Sequence, residues 1–297
     1  MIGMQALRTG ARRAANKLGY EVFRVVGGDG NPVDDLEIYR RVYSEESIAK
    51  RRFYNVGAGL FRHPAWTNVD NPSDWYPHQD GGQIAFDLLS LERMPLEDGV
   101  GEAFFSSHVV EHITNAAAEN LFREAYRALK PGGFVRITTP NIDLEYRALQ
   151  ANDADVFYWR ERSEAECKRT GIRMPPGGPS LKQIFLHHIA STASTLHVET
   201  ACEKIDDAEF DRVFASMPRD EALDYCTSKC TVALQRKYPG NHVNWWSEAK
   251  MRGMLERAGF SQIYRSAYGQ SFSPAMRNVR YFDATHPKIS LYMEAIK

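Results

Sequence analysis

Cysteine is scarce in this chain: Cys167, Cys202, Cys226 and Cys230 are the only four among 297 residues. That excludes a disulfide-stapled scaffold and suits a reducing compartment, so a cytoplasmic location is expected. Cys226 and Cys230 would share one side of a helix. No second cysteine pair is spaced to complete four ligands, so two reduced thiols are expected there instead of a metal. Long apolar runs are missing as well, and nothing approaches the roughly 18 residues that a membrane helix needs. Charge of one sign is also missing: 37 Lys and Arg against 38 Asp and Glu leave a formal net charge of -1. No global field therefore draws the chain to nucleic acid or to an anionic membrane. The length allows a full buried core, as one large domain or as a domain carrying an insertion.

What is present begins at residue 53. Phe53-Tyr54-Asn55-Val56 reads as an apolar strand, Gly57-Ala58-Gly59 as a turn, and Trp66-Thr67-Asn68-Val69-Asp70 as a short second strand ending in an acid. Glycines let the backbone approach a ligand closely, and an acid at the next strand end can accept both hydroxyls of a ribose. A dinucleotide fingerprint needs a third glycine and an acid about 20 residues further on. Here Pro64 interrupts any phosphate-binding helix, and Asp70 follows Gly59 by only eleven residues. The turn suits a cofactor with one ribose and no phosphate, which counts against an NAD-dependent oxidoreductase.

Further pieces follow in order. Ile84-Ala85-Phe86-Asp87-Leu88 reads as a third strand with an acid, and Ala103-Phe104-Phe105-Ser106-Ser107 as a fourth leading into His108. Asn115 to Ala128 carries the stripe Ala118, Leu121, Phe122, Ala125 of an amphipathic helix, and Lys130-Pro131-Gly132-Gly133 precedes another strand. This order resembles the class I S-adenosylmethionine-dependent methyltransferases, in particular the bacterial group labelled methyltransferase type 11-like. The likeness covers about residues 51 to 140 and, more weakly, 242 to 297. It implies an α/β fold: a doubly wound, mostly parallel seven-stranded sheet of the Rossmann-like methyltransferase type, its last strand antiparallel. It implies S-adenosyl-L-methionine as cofactor, with Gly57, Ala58 and Gly59 beside the methionine part and Asp70 on the ribose. Asp87 and Leu88 would meet the adenine, and Ser106, Ser107 and His108 would lie near the reacting methyl group. The chain departs from the family pattern at Asn55, where many members carry an acid.

Three parts are expected along the chain. Residues 1–50 read as an N-terminal helical cap; Arg8, Arg12, Arg13 and Lys17, with no acid among the first 20 residues, leave weak membrane-surface contact as the alternative reading. Residues 51–140 and 241–297 form the cofactor-binding core, in which Ser247 caps a helix stopped by Gly259. Strand alternation stops after Pro140, so 141–240 reads as a helical insertion forming the acceptor site.

Proton removal from a hydroxyl acceptor calls for a general base of near-neutral pKa, usually histidine. The insertion offers His187, His188 and His197, and two adjacent histidines on a helix point opposite ways. His188 is the first choice, His112 the second. His108, Glu111 and His112 have a spacing able to chelate, but the set suits magnesium poorly and leaves a zinc-type site one ligand short. No metal is expected there, and activity is expected to survive chelation. The fourth strand lacks the Asn/Asp-Pro-Pro-aromatic turn usual for nucleobase or protein amide acceptors. With nucleic acid excluded by charge, an enzyme is expected: an O-methyltransferase of a small-molecule or glycan hydroxyl, as in surface polysaccharide biosynthesis. N-methylation of a small amine or amino sugar is the alternative. A non-catalytic nucleoside-binding scaffold is the rival of another class, disfavoured by retention of both strand-end acids.

Overall fold

Residues 34–72, 83–158 and 164–297 are described by the computed structural model. The chain divides into two compact units, Met1–Glu37 and Ile38–Lys297. The helix expected over the first 20 residues lies outside the described residues. All seven strands belong to the second unit: β1 (Phe53–Val56), β2 (Trp66–Asp70), β3 (Ile84–Ala85), β4 (Gly101–Ser107), β5 (Leu129–Pro140), β6 (Gln262–Arg265) and β7 (Ser290–Ile296). They form one sheet in the order β3-β2-β1-β4-β5-β7-β6. The first five run parallel, and β7 pairs antiparallel with both β5 and β6. This is the doubly wound Rossmann-like sheet that the strand pattern implied, with its last strand reversed.

The described helices are α1 (Glu37–Val42), α2 (Glu45–Ala49), α3 (Asn115–Ala128), α4 (Ile142–Gln150), α5 (Glu164–Thr170), α6 (Leu181–Ile189), α7 (Asp207–Ser216), α8 (Arg219–Thr227), α9 (Val232–Lys237) and α10 (Glu248–Ala258). Helix α3 begins where the Thr114 side chain accepts from Ala117 N–H, and its stripe of Leu121, Phe122 and Ala125 packs on Phe104, Val135 and Ile137 of the sheet. Helix α10 covers the same face with Met251 and Leu255. It starts at the Ser247 cap and ends at Gly259, whose φ of +112° only glycine adopts readily. The opposite face is aromatic: Trp66, Phe105 and Phe282 meet at centroid distances of 5.2 to 6.3 Å. Trp66 Nε1 donates to Tyr39 Oη at 2.6 Å, so the first helix is tied to β2. Each such aromatic, fully buried, contributes about 1.5–3 kcal/mol.

The Lys130-Pro131-Gly132-Gly133 run sits inside β5, not before it. Pairing slips from Gly101–Leu129 to Ala103–Phe134, and Gly132 takes φ +76° to absorb the extra residues. After β5, Asn141 caps α4 and the chain builds a second apolar core from Phe157, Phe185, Phe210, Leu223 and Trp245. Trp246 belongs to the sheet core instead. Adjacent tryptophans thus pin the end of the helical region to the sheet. Among the described residues no helix is long and apolar enough to cross a membrane.

Candidate active site

Five parallel strands end on one edge, bringing Asp87, Asp70, Gly57, His108 and Asn141 into a row. At about 4.8 Å per strand, the ends of β3 to β4 span about 14 Å. Strand order reverses between β1 and β4, where an open α/β sheet forms its ligand crevice. Gly57 sits at this reversal with φ +67°, and its N–H donates to Val69 O at 2.9 Å. A Cβ there would lie 2.3 Å from Val109 Cγ2, so no other residue fits. Asp70 Oδ2 accepts Gly59 N–H at 2.7 Å, and Oδ1 accepts Asn71 N–H at 2.8 Å. The strand-end acid therefore holds the glycine turn in shape, with Ala58 buried between its glycines.

Asp87 does not end a long third strand. Its Oδ1 accepts Leu89 N–H at 2.9 Å and caps a 3-10 turn over Leu88–Ser90, which limits β3 to two residues. Its Oδ2 lies 2.6 Å from Arg236 Nη1 on α9. Ser106 corrects the expectation made of it. Its hydroxyl is buried beside a small internal cavity lined by Phe104, Leu121 and Phe122, with no hydrogen-bond partner among the described residues, and it faces the core, not the crevice. Ser107 Oγ accepts from Thr138 Oγ1 at 2.8 Å.

His108 adopts φ +54°, and its N–H donates to Thr138 O at 2.8 Å. Its ring lies between Ser290 Oγ, 2.8 Å from Nε2, and Glu111 Oε1, 3.0 Å from Nδ1. Val110–His112 then forms one 3-10 turn. The spacing of His108, Glu111 and His112 therefore does not make one face of an α-helix, and His112 Nδ1 lies against different chain from the His108 ring. That nitrogen lies 2.9 Å from Asn241 O, and the His112 ring meets His242 edge-on at 4.6 Å. His242 Nδ1 is 2.6 Å from His188 O, with the two rings 4.7 Å apart. His188 Nδ1 is 2.8 Å from Glu145 Oε2, both residues being buried. The adjacent histidines of α6 do diverge: His187 stacks on His197 while His188 joins this row.

Burial shapes the charges here. It lowers the pKa of His112 and, more strongly, of His242, where His112 and His188 add repulsion. Burial pushes the Glu111 carboxyl up, but the attraction of His108 and His112 outweighs it and holds the net below the usual carboxylate range. The ligand atoms of Glu111, His112 and His242 lie within 4.8 Å of one another. Val243 and Asn244, which follow His242, line a cavity of about 270 Å³ shared with Leu89, Asn115, Asp224 and Gln235.

Residues 68–137 match the family model for a methyltransferase domain. Over that stretch, from the end of β2 into β5, the chain is similar to a methyltransferase domain, the group whose cofactor is S-adenosyl-L-methionine. A search of curated proteins finds no match. Among solved structures, a methyltransferase from Mesorhizobium loti is 14% identical, with 83% of this chain and 90% of that one covered at a TM-score of 0.38. One from Archaeoglobus fulgidus is 12% identical, with 89% and 92% covered at 0.40. Likenesses this distant say nothing of substrate. The protein's own residues fit such a cofactor at its nucleoside end: a carboxylate at the end of β2 and a side-chain-free turn at the end of β1 lie side by side. Glu145, Asn241, Arg236 and His242 were not found from sequence. Nothing in the spacing of these residues marks them, because only the fold of the helical region brings them to the strand ends.

Proposed function

We propose that the methyltransferase transfers a methyl group to the hydroxyl of a small molecule or glycan in the cytoplasm, with residues 141–240 forming the acceptor site. The bound cofactor supplies an electrophilic methyl group, so the protein's work is positioning and proton removal. Asp70 binds the ribose hydroxyls, Asp87 and the Leu88 backbone meet the adenine, and Gly57, Ala58 and Gly59 give the amino-acid end a close backbone approach. Ser107 and His108 line the crevice at the end of β4.

The observation that carries the hydroxyl reading is the His188–Glu145 pair, 2.8 Å apart and buried at the edge where the helical region meets the sheet. A carboxylate on Nδ1 fixes the tautomer, so Nε2 is the nitrogen that takes a proton, and it stabilises the imidazolium that results. A hydroxyl needs such a base; an amine acceptor arrives with its own lone pair. His112 is the second choice, since Asn241 O already holds its Nδ1 and burial lowers its pKa. The test is methyl transfer to a panel of sugars, small alcohols and amines across pH 5 to 9. The reading expects transfer to hydroxyls with a rising acid limb that Glu145→Gln abolishes. Transfer confined to amines, with no such limb, would replace it with N-methylation.

A further inference from the structure

We propose that Glu111, His112 and His242 bind one divalent transition-metal ion of the zinc class. By sequence His108, Glu111 and His112 leave such a set short, and the fold changes its membership. His108 turns toward Ser290, and His242 arrives from the far end of the helical region to replace it. The ligand atoms of the new trio lie within 4.8 Å of one another. Ligands at about 2.0–2.2 Å from a tetrahedral ion sit about 3.4 Å apart, so closure needs shifts of about an ångström.

Each imidazole is set up as a ligand. A carbonyl oxygen can only accept, so the contacts of His112 Nδ1 with Asn241 O (2.9 Å) and of His242 Nδ1 with His188 O (2.6 Å) place the proton on Nδ1 in both rings. Nε2 then carries the lone pair, and among the described residues neither Nε2 has a hydrogen-bond partner. Metal-bound histidines commonly show this arrangement, donating the other N–H to a carbonyl. The third ligand is a carboxylate that is 1% exposed. Glu111 Oε2 accepts from Thr139 Oγ1 at 3.0 Å, while Oε1, 3.0 Å from His108 Nδ1, has no hydrogen bond of good geometry among the described residues. Glu145 adds a second buried carboxylate in the same row, also with one oxygen lacking a hydrogen bond. Two carboxylates out of water are costly without a cation. Two histidines and one carboxylate form an open three-ligand set for zinc, iron or manganese, whereas magnesium prefers oxygen. His112 and His242 are only partly buried, so the open position is on their side. On the hydroxyl reading above, the acceptor oxygen takes that position and its proton becomes easier to remove.

The test uses the full chain, stripped by chelator and dialysed. Zinc is titrated by calorimetry and cobalt by visible absorption, both without acceptor. One equivalent of zinc is expected, with cobalt bands of nitrogen and oxygen ligation and no thiolate charge-transfer band. His112→Ala and His242→Ala should each weaken zinc at least tenfold; His242→Gln serves if the alanine variant does not fold. Absence of binding, a thiolate band, or unchanged affinity in a folded His242 variant overturns the site. Methyl transfer is then measured with and without zinc. Binding without any hydroxyl methylation sustains the metal site and counts against the acceptor reading; undiminished methylation by a chain that binds no zinc does the reverse.

Discussion

At the scale of single residues, Asp70 joins the ribose role proposed for it to a second one that sequence does not show. Its place at the end of β2 marks it for the ribose, and the structure adds that Oδ2 holds Gly59 N–H at 2.7 Å. Asp70→Ala should therefore weaken cofactor binding by about 1.5–3 kcal/mol, the range for hydrogen bonds to a charged group, and loosen the glycine turn as well. Calorimetry with adenosylhomocysteine checks this; unchanged affinity would remove Asp70 from the ribose. Such residues were legible because local chain makes them: a strand, a turn and an acid fix their own geometry. Glu145 and His242 were not, since each owes its role to a partner supplied by distant chain. His197 is a case of the same kind. Burial, with Lys204 and Lys237 nearby, brings its pKa down to about 4. A histidine whose folded pKa lies below its unfolded value stabilises the fold fully above about pH 6.5, and that share is lost as pH falls toward 4. Discounted for solvent screening, the loss between pH 7 and 5 is about 1 kcal/mol. Melting curves of His197→Gln should show a smaller fall over that range than the parent chain. An identical fall would assign the pH dependence to His112 and His242 alone.

At the scale of elements, sequence patterns succeeded where an element is amphipathic and capped, and failed where tertiary contacts set the backbone. Helix α3 runs from Asn115 to Ala128 as its stripe and cap dictate. The segment after His108 has helical spacing yet forms a 3-10 turn, because His108 is held at φ +54° by its N–H bond to Thr138 O. The end of the sheet rests on a group no pattern revealed. Arg136 on β5 is fully buried, makes a two-pronged contact with Asp283 (3.0 and 2.6 Å), and reaches Glu294 on β7 at 2.9 Å. Tyr264 on β6 also donates to Glu294, so one arginine links three strands and a loop. Removing one partner of a buried ion pair leaves uncompensated charge, typically at a cost of 3–5 kcal/mol. Arg136→Met should lower the unfolding free energy by about that much in urea titrations. A loss under about 1 kcal/mol would mean that Asp283 and Glu294 find water or protons at once. A second element-scale contact joins the helical region to the end of β3: Arg236 of α9 pairs with Asp87 at 2.6 Å. In the proposed cofactor site this half-exposed pair would compete with the adenine for Asp87. Arg236→Ala should tighten cofactor binding by about 0.2–1 kcal/mol, the usual worth of an exposed pair. Weaker binding would instead make Arg236 part of a closing lid.

At the scale of the whole molecule, the sheet and the helical region divide the labour. The sheet places its strand-end groups in a row about 14 Å long from β3 to β4, and the helical region, grown from the end of β5, adds its own apolar core and its own histidine row. The sheet half was legible from the order of strands and turns. The helical half was legible only as an insertion bearing histidines, because its packing follows no repeating period. The two halves meet at Glu111, His112, His242, His188 and Glu145, and methyl transfer should be divisible between them. A group that acts only in the transition state lowers turnover and leaves ground-state binding alone. His188→Ala should therefore cut turnover by about 10²–10⁴-fold, the range for a general base, while cofactor affinity stays nearly as it was. Because His188 O also holds the His242 ring through its backbone, the alanine variant keeps that contact. The measurement is paired on one variant: calorimetry for the cofactor, and single-turnover methyl transfer over the acceptor panel. Full turnover would take His188 out of the chemistry. Lost cofactor binding would show that the helical region closes over the cofactor itself, an arrangement for which the Arg236–Asp87 contact already supplies one bridge.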